Sequence, residues 1–247
     1  MKNNIVLGID TTGEYCSVGL INGENMIAEI SEKTPQEHSL KLIPFIDKLL
    51  KDNSLKIQDI NAIAVSIGPG SFTGLKVGVA IAKTLSQALG IPIVGIPTLD
   101  ATALNVIDAR CQMQDAREGI ICVITDARKS QVYTAIYKEL EQNKSTSQQV
   151  NKLKKLTKDS VMTVDELLSV VGCRSSVVFV GNGIKIYKDK IEAKLKDKVI
   201  FTEEKYWHPK AGNIALEGWK KLQNNKKGDN LFKLNPVYVR QPDIWKK

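Results

Sequence analysis

Residues 66–95, SIGPGSFTGLKVGVAIAKTLSQALGIPIVG, hold a glycine turn, an unusually apolar helix and a strand in succession. The apolar run AIAVSIG before them reads as a strand, broken by Gly68-Pro69-Gly70. Ser71 is placed to cap a helix that runs to about Leu89 and closes at Gly90. IPIVGI is the next strand, so the stretch reads as one α/β unit. A glycine turn feeding a helix N-terminus aims free N–H groups and the positive dipole end outward, as an anion site does. The turn is not a Walker A loop, for the terminal Gly-Lys-Ser/Thr is missing, and its glycine spacing is not the dinucleotide fingerprint.

The helix behind the turn carries more information. At 100° per residue Lys76, Lys83 and Gln87 share one narrow side, and apolar or small residues spread over roughly 240° of the rest. Gly74, Gly78, Ala82, Ser86 and Gly90 recur every fourth residue, a ridge with almost no side chains, which lets another backbone approach closely. Two readings follow. Either the helix is sandwiched inside its own domain, or it packs on its own sheet and offers the other flank to a second polypeptide. A second helix, around 39–51, also exceeds one apolar face, with Pro44 expected to bend it mid-course. Two neighbouring helices with surplus apolar surface look like a docking patch.

Upstream, NIVLGIDTTGEYCSVGLINGENMIAEISE alternates with period two through three strands, and Asn22-Gly23 signals a tight hairpin. Asp10, at the end of the first strand, precedes Thr11-Thr12-Gly13. That turn is either a plain hairpin loop or a phosphate site whose carboxylate holds Mg²⁺ through water. Downstream, TLDATALNVIDARC reads as a helix, and GIICVITDARKSQVYTAIYKE opens a second sheet-like block. A polar connection spans 141–159, then VMTVDELLSVVG reads as a helix and SVVFVGNGIKIY and KVIFTE as strands. HPKAGNIALEGWKKLQ is a helix, and NPVYVRQPDIWKK a basic tail.

The 247 residues carry a formal charge of +8, unevenly spread. Residues 1–105 hold 8 Lys against 10 acidic side chains, whereas 106–247 hold 27 basic against 17 acidic. An anionic partner would therefore meet the second half, unless the lysines simply solvate the surface. The start shows no signal peptide and no segment is long and apolar enough to span a membrane. Cys16, Cys111, Cys122 and Cys173 lie far apart, as reduced structural thiols of a cytoplasmic protein do. His38 and His208, the two histidines, are 170 positions apart and neither belongs to an HxxxH or HExxH pair, which argues against a histidine-built zinc or iron site. His38 reads as starting its helix and His208 as packing. No Gly-x-Ser-x-Gly elbow supports a hydrolase. Asp126 ends a strand where a two-domain sugar kinase would follow with a second glycine-rich loop, and Ala127-Arg128-Lys129 stand there instead. Gly181-Asn182-Gly183 is either a turn or a nucleotide contact.

GIDTTGEYCSVGL, HSLKLIPFIDKLL, the run from Ile63 to Ala101, TDARKSQVY and VGNGIKIY together resemble the bacterial TsaB (YeaZ) family, most strongly over residues 5–104. The resemblance implies an α/β, two-domain actin-like ATPase (ribonuclease H-like) fold of mixed sheets flanked by helices. It implies one domain at 1–105 rejoined by a helix at about 209–223, and another at 106–208 with about 224–247. It also implies a non-catalytic partner of the paralogous TsaD, which transfers threonylcarbamoyl to adenosine N6 beside the tRNA anticodon. TsaD carries a histidine pair after the strand matching IPIVGI, where this chain has Pro97-Thr98-Leu99-Asp100-Ala101.

Docking on TsaD is then expected through His38, Leu42, Phe45, Ile46 and Leu49 of one helix. The other helix would add Phe72, Thr73, Gly74, Val77, Gly78, Ile81, Ala82 and Leu85. Asp10, Thr11, Thr12, Gly68, Gly70 and Ser71 are the phosphate candidates. The resemblance further implies the ATPase TsaE reached through TsaD, a homodimer in isolation, tRNA contact through the complex, and no metal or intrinsic cofactor. ATP or ADP with Mg would sit at the partner interface. The alternatives are an actin-like kinase or ATPase, a metallopeptidase, and direct tRNA binding by the basic half.

Overall fold

The computed structural model describes residues 4–110, 119–140, 153–172 and 176–240. The chain divides into two units, one of Met1–Ala101 with Pro209–Tyr238, the other of Thr102–His208 with Val239–Lys247. From sequence the chain returns to the second unit near 224, but it stays on the first until Tyr238. The reason is local. Asp229 N–H donates to Ile93 O at 2.8 Å, Gly95 N–H donates to the Asp229 carboxylate at 2.8 Å, and Leu234 is buried in the first core. These bonds cover an edge strand that would otherwise stand open.

The first unit is built on β1 (Ile5–Asp10), β2 (Tyr15–Asn22), β3 (Asn25–Lys33), β4 (Ala62–Gly68) and β5 (Ile93–Pro97), in the order β3-β2-β1-β4-β5. β1 to β3 form the antiparallel meander, and β4 and β5 add in parallel. Period-two alternation along β1 splits its residues between two faces. Ile5, Leu7 and Ile9 meet α1 (His38–Asp52) and α2 (Phe72–Leu89), while Val6 meets Ile214 and Ala215 of α6 (Ala211–Asn224). α6 presses so closely that a Cβ on Gly8 would lie 2.0 Å from Ala211 O, and one on Gly19 2.6 Å from Gly212 N. Its first turn has no cap from its own sequence. Glu29 of β3 accepts from Gly212 N–H at 3.3 Å instead.

The second unit holds β6 (Gly119–Asp126), β7 (Gln131–Glu139), β8 (Leu153–Lys155), β9 (Ser160–Thr163), β10 (Ser176–Val180) and β11 (Val199–Phe201). Their order is β11-β10-β6-β7-β8, with β9 also on β7. α4 (Val164–Val171) and α5 (Ile184–Leu195) share one core with Cys122, Ile124 and Phe179. α3 (Thr98–Arg110) spans the boundary between the units in sequence.

Two expectations are corrected here. α5 occupies a stretch read as the end of a strand, because Ile184, Ile191 and Leu195 are the buried residues of a helix. β8 lies in the supposed polar connection, whose residues 141–152 fall outside the described ones. α1 runs as one helix through Pro44, whose ring sits on the exposed side. Cys16 and Cys122 are free and buried, and burial pushes each thiol up to about 12, so both stay protonated at neutral pH. Cys111 and Cys173 lie outside the described residues. Among those residues no helix is long and apolar enough to cross a membrane.

Candidate functional site

The phosphate candidates do come together, at the carboxyl ends of β1 and β4, but they fill one another's space. Ser71 Oγ caps α2 by accepting from Gly74 N–H at 3.3 Å, and Ser71 N–H donates to Thr12 O at 2.7 Å. Thr11 Oγ1 donates to Gly74 O at 2.7 Å. A Cβ on Gly74 would lie 1.9 Å from Thr11 O, one on Gly70 2.6 Å from Thr12 O, and one on Gly78 2.4 Å from Thr11 Oγ1. Gly68 N–H donates to Thr98 Oγ1 at 3.2 Å, and a Cβ on Gly68 would lie 2.6 Å from Val237 O. The nearly bald ridge of α2 thus receives the backbone of this chain's own Thr11-Thr12 turn. That corrects the reading of the ridge as a seat for another polypeptide.

Asp10, Thr11 and Thr12 are 1%, 2% and 5% exposed. Thr12 donates to both Asp10 oxygens, from Oγ1 at 2.9 Å and from its N–H at 3.3 Å. The Thr12 and Ser71 amides and the Asp10 carboxylate are bonded within the turn, so these groups are not free for a phosphate. Among the described residues no three His, Cys, Asp or Glu side chains gather as a metal site.

Burial pushes the Asp10 carboxyl up from 3.8 to about 6, and hydroxyls and the amide around it moderate the rise. Ser66 Oγ is close enough to ease the ionised form, yet it makes no hydrogen bond of standard geometry. A carboxyl whose folded value is raised weakens the fold when ionised. Below pH 3.8 it is protonated in both states and costs nothing. Between 3.8 and about 6 the unfolded chain ionises first, and above about 6 the cost is full, at most about 3 kcal/mol. Asp10→Asn should therefore melt higher than the parent at pH 7.5, with the gain vanishing by pH 4. Urea titrations at both values check this, and a gain that does not change with pH would contradict it.

His38 is also internal. Its Nε2–H donates to Gly13 O at 3.0 Å and its Nδ1 accepts from Thr34 Oγ1 at 3.3 Å, which sets the tautomer and pins the turn to α1. Leu42, Phe45, Ile46 and Leu49 lie in the core, and Gly74, Gly78 and Ala82 are buried along α2. Eight of the thirteen expected docking residues therefore serve this chain's own packing.

The other five reach the surface. Phe72 is 43% exposed and Thr73 open, while Val77, Ile81 and Leu85 are half-buried along one flank of α2. Between them Ala80, Thr84 and Ala88 are exposed. On α1, which packs beside α2, Leu40 is 71% and Ile43 46% exposed. Phe72 stacks on Tyr238 with ring centres 5.1 Å apart, and the Lys76 ammonium lies 4.0 Å from the Phe72 centre. Leu40 and Ile43 were legible, since Lys41, Asp47 and Lys48 mark their side of α1 as the wet one. Tyr238 had no local signal, for its place depends on Val237 N–H donating to Ile67 O at 2.7 Å.

The family model described as TsaD, tRNA N6-adenosine threonylcarbamoyltransferase, matches residues 26–247. The tRNA threonylcarbamoyladenosine biosynthesis protein TsaB of Bacillus subtilis is 30% identical over 235 residues, covering 95% of this chain and 93% of that protein. The TsaB protein of Haemophilus influenzae is 27% identical over 248 residues, covering 100% of this chain and 98% of that one. YeaZ from Pseudomonas aeruginosa shares the fold, with a TM-score of 0.75 at 21% identity over 95% of this chain and 99% of its own.

Proposed function

The chain belongs to the TsaB family of tRNA threonylcarbamoyladenosine biosynthesis proteins, and from that membership we propose that it is the non-catalytic subunit that docks on TsaD and activates it. Its architecture is actin-like, two mixed sheets flanked by helices. One observation carries the proposal: α2 packs on its sheet through Gly74, Leu75, Gly78, Val79 and Ala82, yet leaves Thr73 and Ala80 exposed and Val77 and Ile81 only half-buried on one flank. Leu40 and Ile43 of the neighbouring α1, and Phe72 at the start of α2, are exposed as well. Burying such side chains in an interface returns roughly 1–2 kcal/mol apiece, enough to favour a partner over water.

The closed turn at Thr11-Thr12 supports a supporting role over a kinase, because the first phosphate site of a kinase must stay open. TsaE would then be reached through TsaD, and ATP or ADP with Mg, if present, would belong to the shared interface. Without TsaD the same flank would pair two copies of the chain by two-fold symmetry.

Reconstituted transfer is the test. TsaD supplied with threonylcarbamoyl-AMP and an unmodified tRNA transcript should incorporate label far faster with this chain than without it. Equal incorporation in both would end the proposal.

A further inference from the structure

The β6–β7 connection is built at a steric cost that a shorter turn would avoid. Ala127 N–H donates to Gln131 O at 3.0 Å and Gln131 N–H to Arg128 O at 3.1 Å, so the strands are tied across the loop. Arg128, Lys129 and Ser130 sit consecutively at φ 59°, 53° and 57°, left-handed positions that residues with a Cβ rarely adopt. An Asn-Gly pair would join two strands without that penalty. Here the positions carry two cations instead.

The turn is held from two sides. Asp126 Oδ1 accepts from Arg128 N–H at 2.8 Å. The Arg240 guanidinium, arriving from the end of the described chain, donates to Ala127 O at 2.6 Å, to Arg128 O at 3.5 Å and to the Gln131 side-chain oxygen. Asn182 Oδ1 accepts from Asp126 N–H at 2.9 Å, which brings the first turn of α5, with exposed Lys185, to the same end of the sheet. Arg128, Lys129 and Ser130 are all exposed, and the turn itself carries no apolar side chain. Exposed cations on a turn whose backbone is held suit phosphate oxygens, whose contacts position a nucleic acid without reading its sequence. The surplus of basic side chains after residue 106 has the same sign.

We propose that the Arg128-Lys129 turn, with Lys185, is a contact for the phosphodiester backbone of the tRNA substrate. The proposal rests on the tRNA-modification reading above. Arg240 is a positioning residue, for it acts through the carbonyls of the turn.

The test uses the full chain, alone and with TsaD, titrated into a labelled tRNA transcript between 50 and 200 mM salt. The Arg128→Gln/Lys129→Gln double variant should bind about tenfold more weakly near 150 mM salt, and its slope against log salt should fall by about two. Lys226→Gln/Lys227→Gln removes the same charge from exposed lysines of the first unit and should leave both within twofold of the parent. Calorimetry against TsaD should give one affinity for all three proteins. Unchanged tRNA affinity and slope in the first variant overturn the proposal. So does an equal loss in the control, which would mean bulk charge alone, or a loss of TsaD affinity in place of tRNA affinity, which would make the turn a protein contact. Failure of the chain to bind TsaD at all would strike the docking reading and leave the tRNA titration of the lone chain to decide this one.

Discussion

Ala80→Arg should abolish binding to TsaD, by a hundredfold or more, and leave the melting temperature of the isolated chain within about a degree of the parent. Ala80 is exposed on α2 between half-buried Val77 and Ile81, so a long cation there meets only water in the lone molecule. In a docked complex the guanidinium would be pressed against the apolar flank with no counter-charge, a penalty on the order of 3–5 kcal/mol. Calorimetry reads the affinity, and circular dichroism guards the fold. The choice of position matters. Gly78, two residues away, lies on the opposite side of the helix, where a Cβ would stand 2.4 Å from Thr11 Oγ1, so Gly78→Arg would fail by unfolding and say nothing of docking. Parent-like affinity in Ala80→Arg would remove α2 from the interface.

Gly8→Ala should cost more than about 4 kcal/mol, enough to remove the cooperative melt of the first unit. One methyl group does this because it meets backbone and not a movable side chain. The new Cβ would stand 2.0 Å from Ala211 O and 2.9 Å from Ala215 N. α6 cannot retreat without exposing Ile214 and Ala215, both fully buried, and losing the Glu29 cap on Gly212. Urea unfolding followed by tryptophan emission, with Trp219 on α6, measures the loss. A variant within 1 kcal/mol of the parent would refute so close an approach.

The limits of α2 were legible because single residues set them. Ser71 accepts from Gly74 N–H and Gly90 adopts φ 65°, and both acts are local. The meander of β1 to β3 was legible for the same reason, through period-two alternation and the Asn22-Gly23 turn. The side of α2 that turns inward was not. A helix apolar over most of its circumference has no phase to read, and the group that fills its small-residue ridge, Thr11, is 63 positions away from Gly74. α5 was hidden by Ile184 and Ile186, whose spacing mimics a strand until Ile191 and Leu195 are counted with Ile184. β8 is three residues, Leu-Lys-Lys, and only its pairing with 137–139 makes it a strand.

The seat of α6 on β1 and β2 has a bearing on biosynthesis. Gly8 and Gly19 wait for Ala211 and Gly212, so the first hundred residues leave the ribosome with one side of their sheet bare. The segment Thr102–His208 is synthesised in the interval, and only then does the missing cover emerge. A message truncated anywhere before α6 would yield a nascent product with a wet, grooved sheet, a natural client for chaperones.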